Sequence, residues 1–516
     1  MRGKINKNLY RAILLLSFLA ANALILFGIS SVWGFLNTGA DRSTMLHEEI
    51  KSSRLYLPKI VWDTTNYEGR PMEDQNLKEI ERDYLNAWYV KNLALSTNEK
   101  YGLEDYYTDS SRVNIYKTIA YNKTNQLHFV GTTTFHEPQL LFYSADGQLV
   151  AFNDRHVTQY VESYVQDEIV NRSVDTSGYK VIMLLEDGFW RIRHIQKEHQ
   201  VKTNITSSKS KSWKVKGNKI LYEDSPYEIK GINYYPQASP WDMFGEDFDE
   251  QTIEKDLKLI AASGLNTIRI FLQYEDFGKA DVIENKLLKL QKTLDIANEN
   301  NVKAVVTLFD FYGNYDVEDW TLTHEHVRQI VSRFKEHVAV MAWDVKNEPN
   351  LDFKSRGEGR VINWLKSVIT QIRKVDPNHL ITIGWSSPES ANFLKDEVDF
   401  VSFHYYKSQK KFPKAYKALE KEIKKPLVLQ EFGMSSYNGI LNPLGNDEED
   451  QADYHRKMQH FFLENNVPFM SWTLFDFEEV PSSVVGRLPW RKARQKKFGF
   501  IDDEGKPKKA FEYISN

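Results

Sequence analysis

Apolar residues in this chain change spacing several times, and each change marks a different kind of element. Ala12 to Leu36 carries no charge, and Arg2, Lys4, Lys7 and Arg11 precede it. As a helix it would run about 37 Å, long enough for a hydrocarbon core of about 30 Å. From Asn76 the spacing becomes helical, with Leu77, Ile80, Tyr84, Trp88 and Leu93 three to five residues apart. Strand-like runs are expected over Val113–Tyr121, Gln126–Thr134, Glu137–Tyr143 and Leu149–Asn153. Tyr179–Glu186 and Phe189–Ile195, split by Asp187-Gly188, predict a hairpin. Gln200–Ser212 is rich in Lys, Ser and Thr without periodicity and reads as a linker.

Beyond the linker, short apolar strands alternate with amphipathic helices. A hairpin at Trp213–Leu221 is expected to plug a barrel floor. Strands follow at Glu228–Tyr234, Thr267–Phe271, Ala304–Phe309, Val340–Val345, Leu380–Gly384, Phe400–Phe403, Leu427–Gln430 and Phe469–Thr473. Helices are predicted at Glu254–Ser263, Glu284–Asn298, Thr323–Lys335 and Ile362–Val375. Eight such units in about 300 residues fit a (β/α)8 TIM barrel. An open doubly wound sheet shares the alternation, but no G-x-G-x-x-G follows the first strand to support dinucleotide binding. The chain is thus expected to be multi-domain: residues 1–40 a basic cytoplasmic end and transmembrane anchor, 41–199 a small α+β domain, 200–212 a linker, and 213–516 the barrel.

Composition narrows the function. Of 516 residues, 41% are hydrophobic and 27% charged, an ordinary globular balance. A formal charge of −4 gives no reason to expect a nucleic-acid partner. There is no cysteine, which removes disulfides, thiolate nucleophiles and Cys-based metal sites. The 13 histidines contain no H-E-x-x-H, and His324 and His326 would point to different sides of a helix. No metal or other cofactor is expected. Aromatics reach 13%, which suits sugar stacking and large cores alike. The basic residues before the apolar stretch place the remainder outside the cytoplasm, as a single-pass membrane protein. Cleavage near Thr38–Ala40 is the alternative.

Barrel active sites lie at the C-terminal ends of the strands. Strand four ends "WDVKNEPN", with Asn347 and Glu348 just past the apolar run, and strand seven ends "LVLQEFG", with Glu431 at its tip. A carboxylate closing a buried strand must be solvated, paired or functional. Two of them across one barrel mouth match the carboxyl pair of a retaining glycosidase.

The N-E-P and E-F-G placements, with "FGFIDDEGKPKKAF" near the C-terminus, resemble glycoside hydrolase family 5, the cellulase and β-mannanase superfamily, over about residues 213–510. That resemblance implies an acid/base at Glu348 and a nucleophile at Glu431. It also implies Asn347 on the sugar 2-hydroxyl, Arg269 orienting the nucleophile, His404 and Tyr406 as the H-x-Y of strand six, and Trp472 as a sugar platform. Asn233, Tyr234 and Trp385 are candidate subsite residues, with packing as the other reading. Many relatives carry a histidine after strand three, where this chain reads "TLFDFYGNY"; Asp310 or Tyr312 is expected on that wall, with Tyr312 reaching substrate. Arg269 should lower the pKa of Glu431, and the neighbouring carboxylate should raise that of Glu348.

The resemblance implies hydrolysis of a β-linked poly- or oligosaccharide, of β-mannan or β-glucan type, by double displacement. Transglycosylation is a variant of the same chemistry. A non-catalytic glycan-binding scaffold is the alternative of another class. Residues 76–197, a helix then an antiparallel sheet ending "LLEDGFWRIRHI", are similar to the nuclear-transport-factor-2-like cone. The segment after strand eight carries Arg487, Trp490, Arg491, Lys492, Arg494, Lys496 and Lys497. It is expected on the catalytic face, as a grip for an anionic glycan or as a solvated basic loop.

Overall fold

The computed structural model describes residues 56–515 except 57, 167, 201–211, 440, 441, 443, 444, 486 and 487, and in the N-terminal stretch only Ser17 and Asn22. The expected anchor and most of the expected linker lie outside the described residues. No helix among the described residues is long and apolar enough to cross a membrane.

The first body pairs helices with an antiparallel sheet. Helix α1 (Asp74–Thr97) buries Ile80, Tyr84, Ala87, Trp88 and Val90 against it, and α2 (Leu103–Tyr106) and α3 (Asp109–Asn125) follow. The short β1 (Lys59–Ile60) and β2 (Glu68–Gly69) edge a sheet made by β3 (Leu127–His136), β4 (Pro138–Tyr143), β5 (Leu149–Val165), β6 (Glu168–Glu186) and β7 (Phe189–Gln200). The first half of β5 pairs with β4 and the second half with β3, while β6 runs along its other side. The Asp187-Gly188 hairpin stands where expected, both residues having positive φ.

Two expectations for this body fail. Val113–Tyr121, read as a strand, lies inside α3. Its β-branched content suggested a strand, but Ile115, Ile119 and Asn122 share a helical face, and Ile119 and Asn122 are the buried positions. The strand expected over Leu149–Asn153 continues to Val165. Its second half looks polar because two register slips interrupt the alternation, and because the buried positions include Glu162.

The hairpin of β8 (Trp213–Lys216) and β9 (Lys219–Tyr222), extended by β10 (Ser225–Pro226), closes the barrel floor. Trp213 and Ile220 pack there with Ile229, Val305, Met341 and Val428, and the Trp213 indole N–H donates to the Val340 carbonyl at 3.2 Å. Eight parallel strands then close on themselves: β11 (Lys230–Asn233), β12 (Thr267–Gln273), β13 (Lys303–Asp310), β14 (Val340–Asn347), β15 (Leu380–Trp385), β16 (Val401–Tyr405), β17 (Leu427–Phe432) and β18 (Phe469–Ser471). This is the predicted TIM barrel.

Its outer helices are α4 (Glu250–Ala262), α5 (Glu284–Glu299), α6 (Trp320–Phe334), α7 (Glu358–Val375), α8 (Phe412–Glu422) and α9 (Glu448–Asn465). After β15 there is only a short 3-10 turn, and β18 is followed by two short helices, α10 (Ser482–Val485) and α11 (Pro489–Gln495). The first body rests on α6 and α7: the Tyr160 ring lies 4.2 Å from that of Trp320, and the Lys374 ammonium sits 5.5 Å from the Phe135 ring.

Candidate active site

A cavity of about 750 Å3 opens at the C-terminal ends of the barrel strands. Its floor holds Asn347, Glu348, Tyr406, Glu431 and Asp310, and its walls include Tyr235, Trp241, Phe271, Phe311, Trp472 and Phe498. Two strand-end irregularities aim the carboxylates. The β14–β15 register slips between Asp344 and Asn347, after which Glu348 takes a left-handed backbone (φ 47°, ψ 47°), held by its N–H on the Gly384 carbonyl at 2.7 Å. A non-glycine residue in that region carries backbone strain, and such strain gathers at functional positions. A second slip, between Phe403 and His404, sets His404 beside Glu431 in register.

Arg269 organises the floor. It is fully buried, and its guanidinium donates to Asp344 at 2.7 and 2.9 Å, to the side-chain oxygens of Asn347 and Asn233 at 3.0 and 3.1 Å, and to Glu431. A buried cation of this kind persists only because so many acceptors surround it. Room for it comes from Gly384: an added Cβ would stand 2.8 Å from Arg269 Nη2 and 2.7 Å from Gln430 Oε1. Tyr406 donates its hydroxyl to the other Glu431 oxygen at 2.8 Å. Burial, then Glu431 and Glu348, raise the Tyr406 pKa well above the ordinary phenol value, so the donor keeps its proton.

His404 joins the two glutamates. Its Nδ1 lies 2.9 Å from Glu348 Oε1 and 3.5 Å from Glu431 Oε2, and one atom from each of the three residues fits within 4.8 Å of the others. An approach that close lies on the side of the retaining spacing of about 5–5.5 Å and falls short of the inverting range of about 6.5–9.5 Å. Among the described residues these three form the acid/histidine cluster tight enough to share a cation. Arg269, however, already supplies positive charge at Glu431.

The expected rise in the Glu348 pKa is corrected. Burial does raise it, but the hydrogen bond and charge of His404, followed by the charges of Arg269 and Lys346, outweigh burial and lower it. The sequence reading weighed the like-charged neighbour and overlooked the histidine in contact.

Asn347 and Trp472 line the cavity as expected. The subsite reading fails for Asn233 and Trp385, and so does the expected substrate reach of Tyr312. Asn233 is fully buried, its amide donating to the Gln430 and Ser471 carbonyls while its oxygen accepts from Arg269, so it props Arg269 instead of meeting a sugar. Trp385 is buried against Phe353 and Phe393, and Tyr312 stacks on Trp364 beside Tyr274 and Phe309, so both pack. The residues that do reach the cavity from "FDFYG" are Asp310 and Phe311. Tyr234 turns away to donate to Asp256 at 2.8 Å.

Sequence reasoning passed over Asp344, Lys346 and Trp241. The two charges inside an apolar strand in "AWDVKNEP" were a usable signal; Trp241, in a loop, offered none. His324 and His326 are buried apart, one on Ser367 and the other on the Lys279 carbonyl, each 2.7 Å away.

Known proteins resemble this chain mainly over the barrel. The family described as cellulase (glycosyl hydrolase family 5) matches residues 223–478. Mannan endo-1,4-beta-mannosidase 5 of Solanum lycopersicum is 28% identical over 171 residues, 25% of this chain and 40% of that protein. Beta-glucuronidase of Chlorocebus aethiops is 25% identical over 275 residues, 49% of this chain and 40% of that protein. The chain therefore spans about two fifths of these relatives. Among solved structures, an exo-beta-1,4-mannosidase from Opitutaceae bacterium strain TAV5 superposes with a TM-score of 0.47 at 20% identity, covering 56% of this chain and 58% of that one.

Proposed function

We propose, from the premise that residues 223–478 form a glycoside hydrolase family 5 barrel of the retaining kind, that this protein cleaves β-linked poly- or oligosaccharide by double displacement. The observation that carries the reading is the Glu348–Glu431 approach within 4.8 Å, with Arg269 bound to Glu431. In the first step Glu348 gives a proton to the glycosidic oxygen while Glu431 attacks the anomeric carbon. In the second, Glu348 takes a proton from water, which displaces the sugar from Glu431 with net retention. Arg269 and Tyr406 aim the attacking carboxylate, Asn347 binds the adjacent hydroxyl, and Trp472 supports the sugar face. Relatives named as mannan endo-1,4-beta-mannosidases favour β-mannan, with β-glucan next.

The domain division at 1–40, 41–199, 200–212 and 213–516 belongs to the same reading, with residues 41–199 a nuclear-transport-factor-2-like unit. So does a single membrane anchor over Ala12–Leu36 that holds the barrel outside the cytoplasm, supported by the basic residues before that uncharged stretch. Partition of the full chain into the membrane fraction, and protease access to the barrel in intact cells, test that part.

The catalytic part is tested by turnover of β-mannan and β-glucan oligosaccharides, with proton NMR of the first anomer released. The β anomer is expected first, and Glu348→Gln and Glu431→Gln should each lose about 1000-fold or more in kcat. An α anomer appearing first, or unimpaired glutamine variants, would refute it.

A further inference from the structure

Two of the residues that line the cavity on the β18 side bear positive charge that neutral sugar does not call for. Arg491 and Arg494 both line the cavity that contains Glu348 and Glu431. They lie three residues apart on α11, hence on one face of that helix. Both are exposed, and among the described residues neither guanidinium has an acidic partner. Lys497, a few residues on, behaves differently and pairs with Asp503 at 2.9 Å and Asp476 at 3.5 Å. Trp490 is half exposed and does not line the cavity.

The helix is held relative to the carboxylates. Ser435, four residues past Glu431, donates its hydroxyl to the Arg494 carbonyl at 2.6 Å, and the Ser436 N–H donates to the Lys497 carbonyl at 2.9 Å. Phe498 completes the link, its ring 5.9 Å from that of Tyr406, which itself bonds Glu431. The segment that carries both arginines is thus anchored beside the strand that carries Glu431.

From this we infer that the cavity selects a β-linked glycan carrying a carboxylate, a uronate unit, which Arg491 and Arg494 bind. The inference rests on the hydrolase reading above and names the substrate class of that same site. A neutral mannan or glucan has nothing to match two guanidiniums. A uronate entering a cavity floored by Glu348, Glu431 and Asp310 would be repelled without them. The planar fork of arginine suits a carboxylate with two parallel hydrogen bonds, which a lysine ammonium cannot reproduce.

The test compares a β-linked oligosaccharide containing uronate with its methyl ester, identical in shape and lacking the charge, using the full chain. The acid is expected to exceed the ester in kcat/KM by about tenfold or more at low salt. That ratio should collapse toward one in about 0.5 M salt and in the Arg491→Gln/Arg494→Gln double variant. Arg491→Lys/Arg494→Lys should keep part of it. Equal turnover of acid and ester by the unaltered protein, or a ratio unmoved in the glutamine variant, overturns the inference. If neither compound nor any neutral glycan is cleaved, the hydrolase reading fails on its own account, and calorimetric titration with the same pair decides the anion site. Preference for the acid that disappears in the glutamine variant then supports it; equal binding of acid and ester overturns it.

Discussion

Asp310 offers the sharpest pH test of this site. It ends β13 in the cavity floor, 3% exposed, with Tyr235 at 3.5 Å from one oxygen and no partner for the other among the described residues. Burial drives its pKa from an ordinary 3.8 to about 7; Arg269 and Lys346 pull it down and Glu431 pushes it up. At about 1.4 kcal/mol per pH unit, that displacement is worth about 4 kcal/mol of folding free energy. The sign follows from which state holds the proton. Below pH 3.8 both the folded and unfolded chains are protonated and nothing is lost. Between 3.8 and about 7 the unfolded chain sheds its proton while the folded one keeps it, so stability declines steadily as pH rises. Above about 7 the folded carboxyl ionises too, and the full loss is in place. Asp310→Asn puts an uncharged amide in the same space. Its stability relative to the unaltered protein should therefore start near zero at pH 4 and improve by as much as about 4 kcal/mol by pH 8. Guanidinium unfolding followed by tryptophan fluorescence at both pH values reads this, because titrations remote from Asp310 cancel between the two proteins. A difference that does not change with pH, or one that moves against the amide as pH rises, would refute the argument.

The other expectations concern positioning. Tyr406→Phe removes the hydroxyl donated to Glu431 and should lower kcat by about tenfold to a hundredfold, with the thermal transition little moved; steady-state kinetics beside a melting curve checks it. Gly384→Ala should displace the Arg269 guanidinium, so both activity and stability fall, the latter by about 1–3 kcal/mol, measured by denaturant titration. His404→Asn removes the contact that outweighs burial at Glu348. Its carboxyl should then titrate higher, and the alkaline limb of the kcat/KM profile, set by loss of the Glu348 proton, should move to higher pH.

The barrel was legible because parallel strands are buried on both faces and so write themselves as short apolar runs, as in Val340–Trp343 or Leu427–Leu429. Glu348 and Glu431 stood out for a related reason, since a charge at the end of such a run has no cheap structural excuse, whereas Arg269 came only from the family resemblance. Where that contrast was missing, the reading faltered. Asn233 and Trp385 sit at strand ends like true site residues, and only the direction of each side chain reveals that one props Arg269 and the other packs. At "DFYG" the choice lay between Asp310 and Tyr312, and the cavity takes Asp310 together with Phe311, a residue of positive φ at the strand end. Periodicity cannot show that. In the first body, α3 was taken for a strand because β-branched residues were weighed above spacing.

The charges of the site fall into two layers with different duties. Deep in the barrel, Arg269 and Asp344 form a fully buried ion pair, closed further by Thr307 and the Gly384 N–H on Asp344. Water does not reach it, so its field on Glu431 is little screened by salt. Nearer the opening stand Glu348 against His404, and Asp310 with its pKa raised to about 7. A double displacement needs both kinds, a nucleophile whose partner stays fixed through the cycle and an acid/base whose proton leaves and returns. Here the boundary between the layers is one side chain thick. Asn347 receives a hydrogen bond from Arg269 below, and the next residue along the chain, Glu348, meets His404 above. The strained turn at Glu348 is what lets two consecutive residues serve the two layers.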